Sequence, residues 1–322
     1  MAQITPARPW IKLVIGLLVL PVAVAACTAG TTQLLTYMAV HPTRERLTET
    51  PISRGLFFEE VGFATSDGIQ LRGWFVPSRA SKAAVILGHG FTRSRQELLD
   101  VAAMLNRGCY NVLLFDWRAH GESDGERSTF GLDEVKDLAA AVRYIASRPE
   151  VDQERIGVLG SSMGAAIAIR GAAVLPQIKA VVSDSPFPTL EETIEVGVRR
   201  RGPLGVWPLR PLVVALGSQA MGIDPDLVRP VDEIGDISPR PVLILHGGED
   251  DLLPEDTGSR LYAAAAAPKS LWYVPEGTHA RLASSHPLEY ERRVVSFFDA
   301  ALKTQGQVCS RSDAPGALWV GR

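Results

Sequence analysis

Short, uninterrupted apolar runs recur through the middle of this sequence and alternate with longer stretches of helical period. The runs are Ala84–Gly88, Asn111–Asp116, Arg155–Gly160, Lys179–Asp184, Pro241–His246 and Ser270–Val274. A run without polar alternation suits a strand buried on both faces, the habit of parallel sheets. Between them the spacing predicts helices over Arg95–Arg107, Leu132–Ser147, Met163–Leu175, Thr257–Ala266 and Pro287–Lys303. In the second helix Val135, Leu138, Ala139, Val142 and Ile145 share one face, and Asp133, Glu134, Lys136 and Arg143 lie off it. Upstream, Phe57–Thr65 and Gln70–Val76 flank the turn signal Ser66-Asp67-Gly68 and read as an antiparallel hairpin at the sheet edge. Repeated strand–helix–strand units imply right-handed crossovers and helices on both faces. In such sheets ligands bind at the carboxyl ends of the strands, so residues that carry chemistry are expected just after strands.

Composition narrows the classes. Hydrophobic residues make up 46% and charged residues 21% of 322, which excludes a disordered or collagen-like chain. A formal net charge of −3 gives no basic surface for nucleic acid. Cys27, Cys109 and Cys309 form no C-x-x-C or zinc spacing, and nothing points to a metal.

The two ends differ from the body. Leu13 to Val40 contains no charged residue or histidine, and the short leader before it carries Arg8 and Lys12 without an acid. About 20 mostly apolar residues suffice to cross a bilayer. Residues 1–42 therefore read as an uncleaved signal-anchor, with the body at an inner membrane and extracytoplasmic. Two other readings stay open. Val24-Ala25-Ala26-Cys27 resembles a lipobox with Cys27 as the lipidated residue, and the same small residues suit an ordinary signal-peptide cleavage site. Residues 43–303 form the body. Within it, Pro186 to Pro239 breaks the alternation with Pro, Gly, Trp207 and the Arg199-Arg200-Arg201 run, and reads as a lid inserted between two strands. Residues 304–322 show no periodic apolar face and are expected to be a disordered tail.

Gly160-Ser161-Ser162-Met163-Gly164 is G-x-S-x-G, centred on Ser162, after a strand and opening a helix. The motif requires that context: a sharp, strained turn exposes the hydroxyl above the sheet, and the flanking glycines let strand and helix approach. The Met163 N–H at the helix N-terminus can face a developing negative charge. A serine needs a base, and the base an orienting carboxylate. Downstream of Ser162 stand His246, His279 and His286.

These residues resemble the α/β-hydrolase superfamily, within it the bacterial membrane-tethered serine hydrolases of the esterase and serine aminopeptidase-like branch. The resemblance runs from about Leu56 to Lys303. Asp116-Trp-Arg-Ala-His-Gly-Glu-Ser123 is similar to the D-x-R-G-H-G-x-S segment, with Ala119 in place of the usual glycine. The resemblance implies an eight-stranded, mostly parallel sheet and a Ser–acid–His order along the chain. The run His246-Gly247-Gly248-Glu249-Asp250-Asp251-Leu252-Leu253-Pro254 is similar to H-G-x-x-D-x-x-x-P, which puts the acid at Asp250. Asp251, Glu249 and the strand-end Asp184 are its competitors. His279, after the last strand, matches the loop-borne histidine, with His286 as the rival. Leu87-Gly88-His89-Gly90-Phe91 matches the oxyanion loop, so the amides of Phe91 and Met163 are the expected oxyanion donors, and His89 a residue that holds the loop. The implied activity is hydrolysis of a carboxylic ester (EC 3.1.1) through an acyl-enzyme. The substrate would be a small-molecule or lipid-like acyl compound, and no cofactor is needed. A peptidase, thioesterase or amidase would use the same residues, and a non-catalytic scaffold would keep only the fold.

Overall fold

The computed structural model describes residues 9–199 and 209–303. The expected tail at 304–322, and residues 200–208 of the expected lid, lie outside them. By its internal contacts the chain divides into two units. One holds residues up to Val40 together with Ile194–Asp224, and the other holds His41–Thr193 and the chain from Pro225 onward.

The first unit is helical. Its long helix α1 (Pro9–Val40) includes a 24-residue segment, Leu17–Val40, of mean hydropathy 1.7.

The second unit is built on an eight-stranded sheet: β1 (Glu59–Ala64), β2 (Gln70–Val76), β3 (Ala84–Gly88), β4 (Asn111–Phe115), β5 (Ile156–Ser161), β6 (Ile178–Asp184), β7 (Val242–Gly247) and β8 (Lys269–Val274). The spatial order is β1-β2-β4-β3-β5-β6-β7-β8. β1–β2 and β2–β4 pair antiparallel and all other neighbours run parallel. The apolar runs thus fall in the sheet, and every residue of β3, β4, β5 and β7 is buried. Alternation along each strand feeds two cores. Ile86, Leu113, Val158, Val181 and Ile244 meet α3 (Glu134–Ala146) and α4 (Met163–Val174) through Leu138, Ile145, Ile167 and Ile169. Val85, Leu87, Val112, Leu159 and Val182 face the other way, onto α2 (Leu99–Arg107) and, after α8 (Thr257–Ala264) and α9 (Leu282–Ser285) in the chain, α10 (Pro287–Leu302), where Leu105, Val294 and Phe298 lie. Each such side chain contributes roughly 1.5–3 kcal/mol on full burial.

Two local readings change. The helix expected to begin at Arg95 opens as a 3₁₀ turn, Arg95–Leu98, before α2. The Arg95 backbone N–H donates to Asp116 Oδ1 at 2.6 Å and its guanidinium to Asp116 Oδ2 at 2.7 Å, so this turn is set by a tertiary anchor that helical period does not encode. The expected lid, 186–239, is not one element. It contributes α5 (Leu190–Arg199), which begins in the sheet unit and passes into the helical one at Ile194, and α6 (Leu209–Met221) of the helical unit, whereas α7 (Pro230–Glu233) and the 3₁₀ turn after it belong to the sheet unit. There Ile234 and Ile237 enter the core, and Glu233 pairs with Arg170 at 2.8 Å.

Candidate active site

The carboxyl ends of β3, β5, β6, β7 and β8 come level across the sheet. Gly88 pairs with Gly160, Ser161 with Asp184 and Gly247 with Val274. Loops leaving these ends carry the expected site residues to one rim, where Phe91, Ser162 and His279 line a cleft of about 780 Å³.

Ser162 sits between β5 and α4 with φ 52° and ψ −113°, a backbone conformation costly for any residue but glycine. The turn closes only because its flanks have no side chains. A Cβ on Gly160 would stand 2.0 Å from the Gly164 carbonyl oxygen, and one on Gly164 would stand 2.2 Å from that of Gly88. The Ser162 N–H donates to the Asp184 carbonyl at 2.8 Å, which ties the turn to β6. Ser162 is the N-cap of α4, so the Met163 amide belongs to the first turn, whose N–H groups have no partner within the helix.

His279 follows β8. Its Nε2 lies 2.8 Å from Ser162 Oγ and its Nδ1 lies 2.7 Å from Asp250 Oδ2. The adjoining Ala280 N–H donates to Ser185 Oγ at 2.9 Å, and Ala280 and Ser185 take left-handed φ of 51° and 56°. Asp250 follows β7. Its other oxygen accepts the N–H groups of Leu252 at 2.8 Å and Leu253 at 2.9 Å. Burial alone would raise the Asp250 carboxyl, but the His279 contact and these two amides outweigh it and hold the group below its ordinary value.

The structure thus joins Ser162, His279 and Asp250 in one hydrogen-bonded chain and leaves the competitors out of it. Glu249 and Asp251 are exposed. Asp184 is buried beneath the cleft, accepts the Ser185 hydroxyl at 3.1 Å, and is pushed up to about 6 by burial. His246 is buried at the end of β7 against Gly258. His286 is the N-cap of α10, 3.4 Å from Glu276.

Around Phe91 the loop after β3 is held at several points. His89 is fully buried, and burial keeps its imidazole neutral. Nδ1–H donates to the Gly90 carbonyl at 2.7 Å and Nε2 accepts the Trp117 N–H at 3.1 Å. The Arg93 N–H also donates to the Gly90 carbonyl, at 3.2 Å. That carbonyl and the Phe91 N–H belong to one planar peptide, so fixing the first fixes the direction of the second. Trp117 belongs to the D-x-R-x-H-G-x-S segment, which therefore acts as a brace for this loop. Its Ala119 takes φ 63°, the conformation that makes glycine the easier residue there.

One residue at the cleft escaped the sequence reading. Glu97 accepts the Gly90 N–H on Oε2 at 2.7 Å and lines the cleft beside Ser162 and His279. Burial raises its carboxyl above the ordinary range, with the Gly90 amide and Arg93 working against the shift. In sequence it is one glutamate in a helical stretch, and no spacing distinguishes it. Among the described residues no cluster of three or more His, Cys, Asp or Glu side chains could hold a metal ion.

Three kinds of comparison with known proteins agree. The serine aminopeptidase (S33) family model matches residues 79–201, the segment from before β3 to beyond α5. An uncharacterised protein of Mycobacterium tuberculosis is 34% identical over 223 residues, covering 68% of this chain and 72% of the relative. An uncharacterised protein of Escherichia coli K12, YfhR, is 29% identical over 255 residues, covering 77% of this chain and 82% of its own. Among solved structures, the esterase Pf2001 of Pyrococcus furiosus superposes with a TM-score of 0.70 at 30% identity, over 82% of this chain and 100% of that one. An acylaminoacyl peptidase of Pyrococcus horikoshii, at 17% identity and TM-score 0.58, shares the fold.

Proposed function

Because the chain belongs to the α/β-hydrolase superfamily and is a hydrolase, we propose that it cleaves carboxylic esters by a Ser162–His279–Asp250 triad. The observation that carries the reading is the unbroken chain of contacts from Ser162 Oγ through the imidazole to Asp250, at 2.8 and 2.7 Å. His279 takes the Ser162 proton as Oγ attacks the acyl carbon. Asp250 holds the Nδ1–H tautomer and stabilises the imidazolium. The amides of Phe91 and Met163 face the oxyanion, where one such donor is worth about 10²–10³ in rate. The protonated imidazole then gives its proton to the departing alcohol. Water, deprotonated by His279, attacks the acyl-enzyme and frees the acid and Ser162. Glu97 acts through Gly90 as a positioning residue for the oxyanion loop. No step calls for a cofactor.

Ester rather than amide chemistry draws its support from the Pyrococcus esterase, which this chain covers end to end. The family match to serine aminopeptidases favours the rival, and the triad itself does not choose the leaving group. A panel of p-nitrophenyl acyl esters set against aminoacyl-p-nitroanilides decides between them. Higher kcat/KM on the esters is the expected result, and preferential anilide turnover would overturn it.

The same proposal places the enzyme at a membrane through α1. Its 24-residue uncharged segment, Leu17–Val40, makes about 36 Å of helix, enough for a hydrocarbon core of about 30 Å. The body is then extracytoplasmic. Cys27, the residue a lipoprotein reading would lipidate, lies inside this helix.

A further inference from the structure

Helix α1 is built inside out for a helix in water. Leu17, Leu18, Val22, Leu34 and Met38 are between 59% and 68% exposed. Thr28, Thr32 and Thr36, one every four residues, are 4%, 2% and 8% exposed. A four-residue spacing puts the three threonines on one face. An amphipathic pair in water would bury the leucines and turn the hydroxyls out.

The helix packed along α1 is α6, in the same unit. Its buried residues Val213, Gly217 and Met221 also recur every four positions, and Ala215 and Ala220 point away, exposed. Gly217 meets the threonine face: a Cβ there would stand 3.5 Å from Thr36 Oγ1 and 3.9 Å from Thr32 Cγ2. Helices in a bilayer join in this way. Lipid tails are as apolar as leucine, so small and hydroxyl-bearing residues allow close packing while the apolar surface stays outward.

We infer that α6 is immersed in the bilayer beside α1, so that the chain between β6 and β7 returns to the membrane. The exposed Ala215 and Ala220 of α6 add to the apolar surface of α1, and the partner of α6 is the acyl-chain region of a phospholipid bilayer. Thirteen residues give about 20 Å of helix, less than the hydrocarbon thickness of about 30 Å. The segment therefore lies against the C-terminal half of α1 and does not cross. The inference rests on the reading of α1 as a membrane helix and is independent of the triad.

The test uses the full chain in phospholipid vesicles, with p-benzoylphenylalanine introduced singly at Leu18, Ala215, Ala220 and Leu288. Leu288 is an exposed residue of α10 in the sheet unit. After irradiation, protein–lipid adducts are read by mass spectrometry, and turnover of a soluble ester verifies that each variant is folded. Adducts from Leu18, Ala215 and Ala220, with none from Leu288, are expected. Adducts from Leu18 with none from either α6 position would overturn the inference while leaving the anchor in place. No adduct from Leu18 would overturn both membrane readings and leave ester hydrolysis untouched.

Discussion

Removing the Glu97 carboxylate should slow catalysis with little change in substrate affinity. Oε2 accepts the Gly90 N–H at 2.7 Å, one residue before the proposed oxyanion donor. A hydrogen bond to a charged group contributes about 1.5–3 kcal/mol, and 1.36 kcal/mol is a factor of ten in rate. The loop keeps its other anchors, His89 Nδ1 and the Arg93 N–H on the Gly90 carbonyl. The loss should therefore stay below the 10²–10³ that deletion of an oxyanion donor costs. Glu97→Ala is expected to lower kcat roughly 10- to 100-fold at nearly constant KM. Glu97→Gln keeps an acceptor oxygen and should stay within about threefold of wild type. Steady-state hydrolysis of p-nitrophenyl butyrate gives both constants, and the melting temperature separates a local effect from unfolding. A Glu97→Ala protein with unchanged kcat, or a Gln variant as slow as the Ala variant, would refute the positioning argument.

Other expectations follow from the same geometry. Asp250→Asn should leave the fold intact, because the side-chain oxygen can still accept the Leu252 and Leu253 amides, yet lower kcat by about 10³–10⁴ through the wrong imidazole tautomer. Activity within tenfold of wild type would contradict the role given to Asp250. Arg95→Leu strands the Asp116 carboxylate, whose pairing with Arg95 is almost wholly buried, and should cost about 3–5 kcal/mol in urea unfolding; a loss near zero would count against that pair as a brace. Asp184 is raised from 3.8 to about 6 in the folded chain, so its favourable contribution is full below about pH 3.8 and is lost as pH rises through about 6. Asp184→Asn should therefore gain in melting temperature relative to wild type across that window and hold the gain above it, whereas a pH-independent difference would count against a titrating Asp184.

Most of the sheet was legible because its inner strands are buried on both faces, so β3, β4, β5 and β7 stand out as unbroken apolar runs. The turn at Ser162 was legible because Gly160 and Gly164 are sterically required, and steric requirement leaves a fixed spacing. What separates Asp250 from Asp251 is not in their types. It is the pair of amides from Leu252 and Leu253, a loop geometry that the sequence does not spell out. Glu97 and the 3₁₀ turn at Arg95 depend on partners distant in the chain or on a single backbone N–H, neither of which has a periodic signature. The stretch from 186 to 239 gave little helical signal for a different reason. Its α6 buries glycine and apolar side chains against threonines, so the usual rule of leucines in and hydroxyls out gives no contrast to read.

The account stands on Ser162 being an activated nucleophile. Intact-mass analysis after treatment with a fluorophosphonate tests this most directly. The wild-type chain should gain a single adduct, mapped to Ser162, and Ser162→Ala should gain none. An adduct that persists in Ser162→Ala, or a wild-type protein that stays unlabelled while folded, would contradict it.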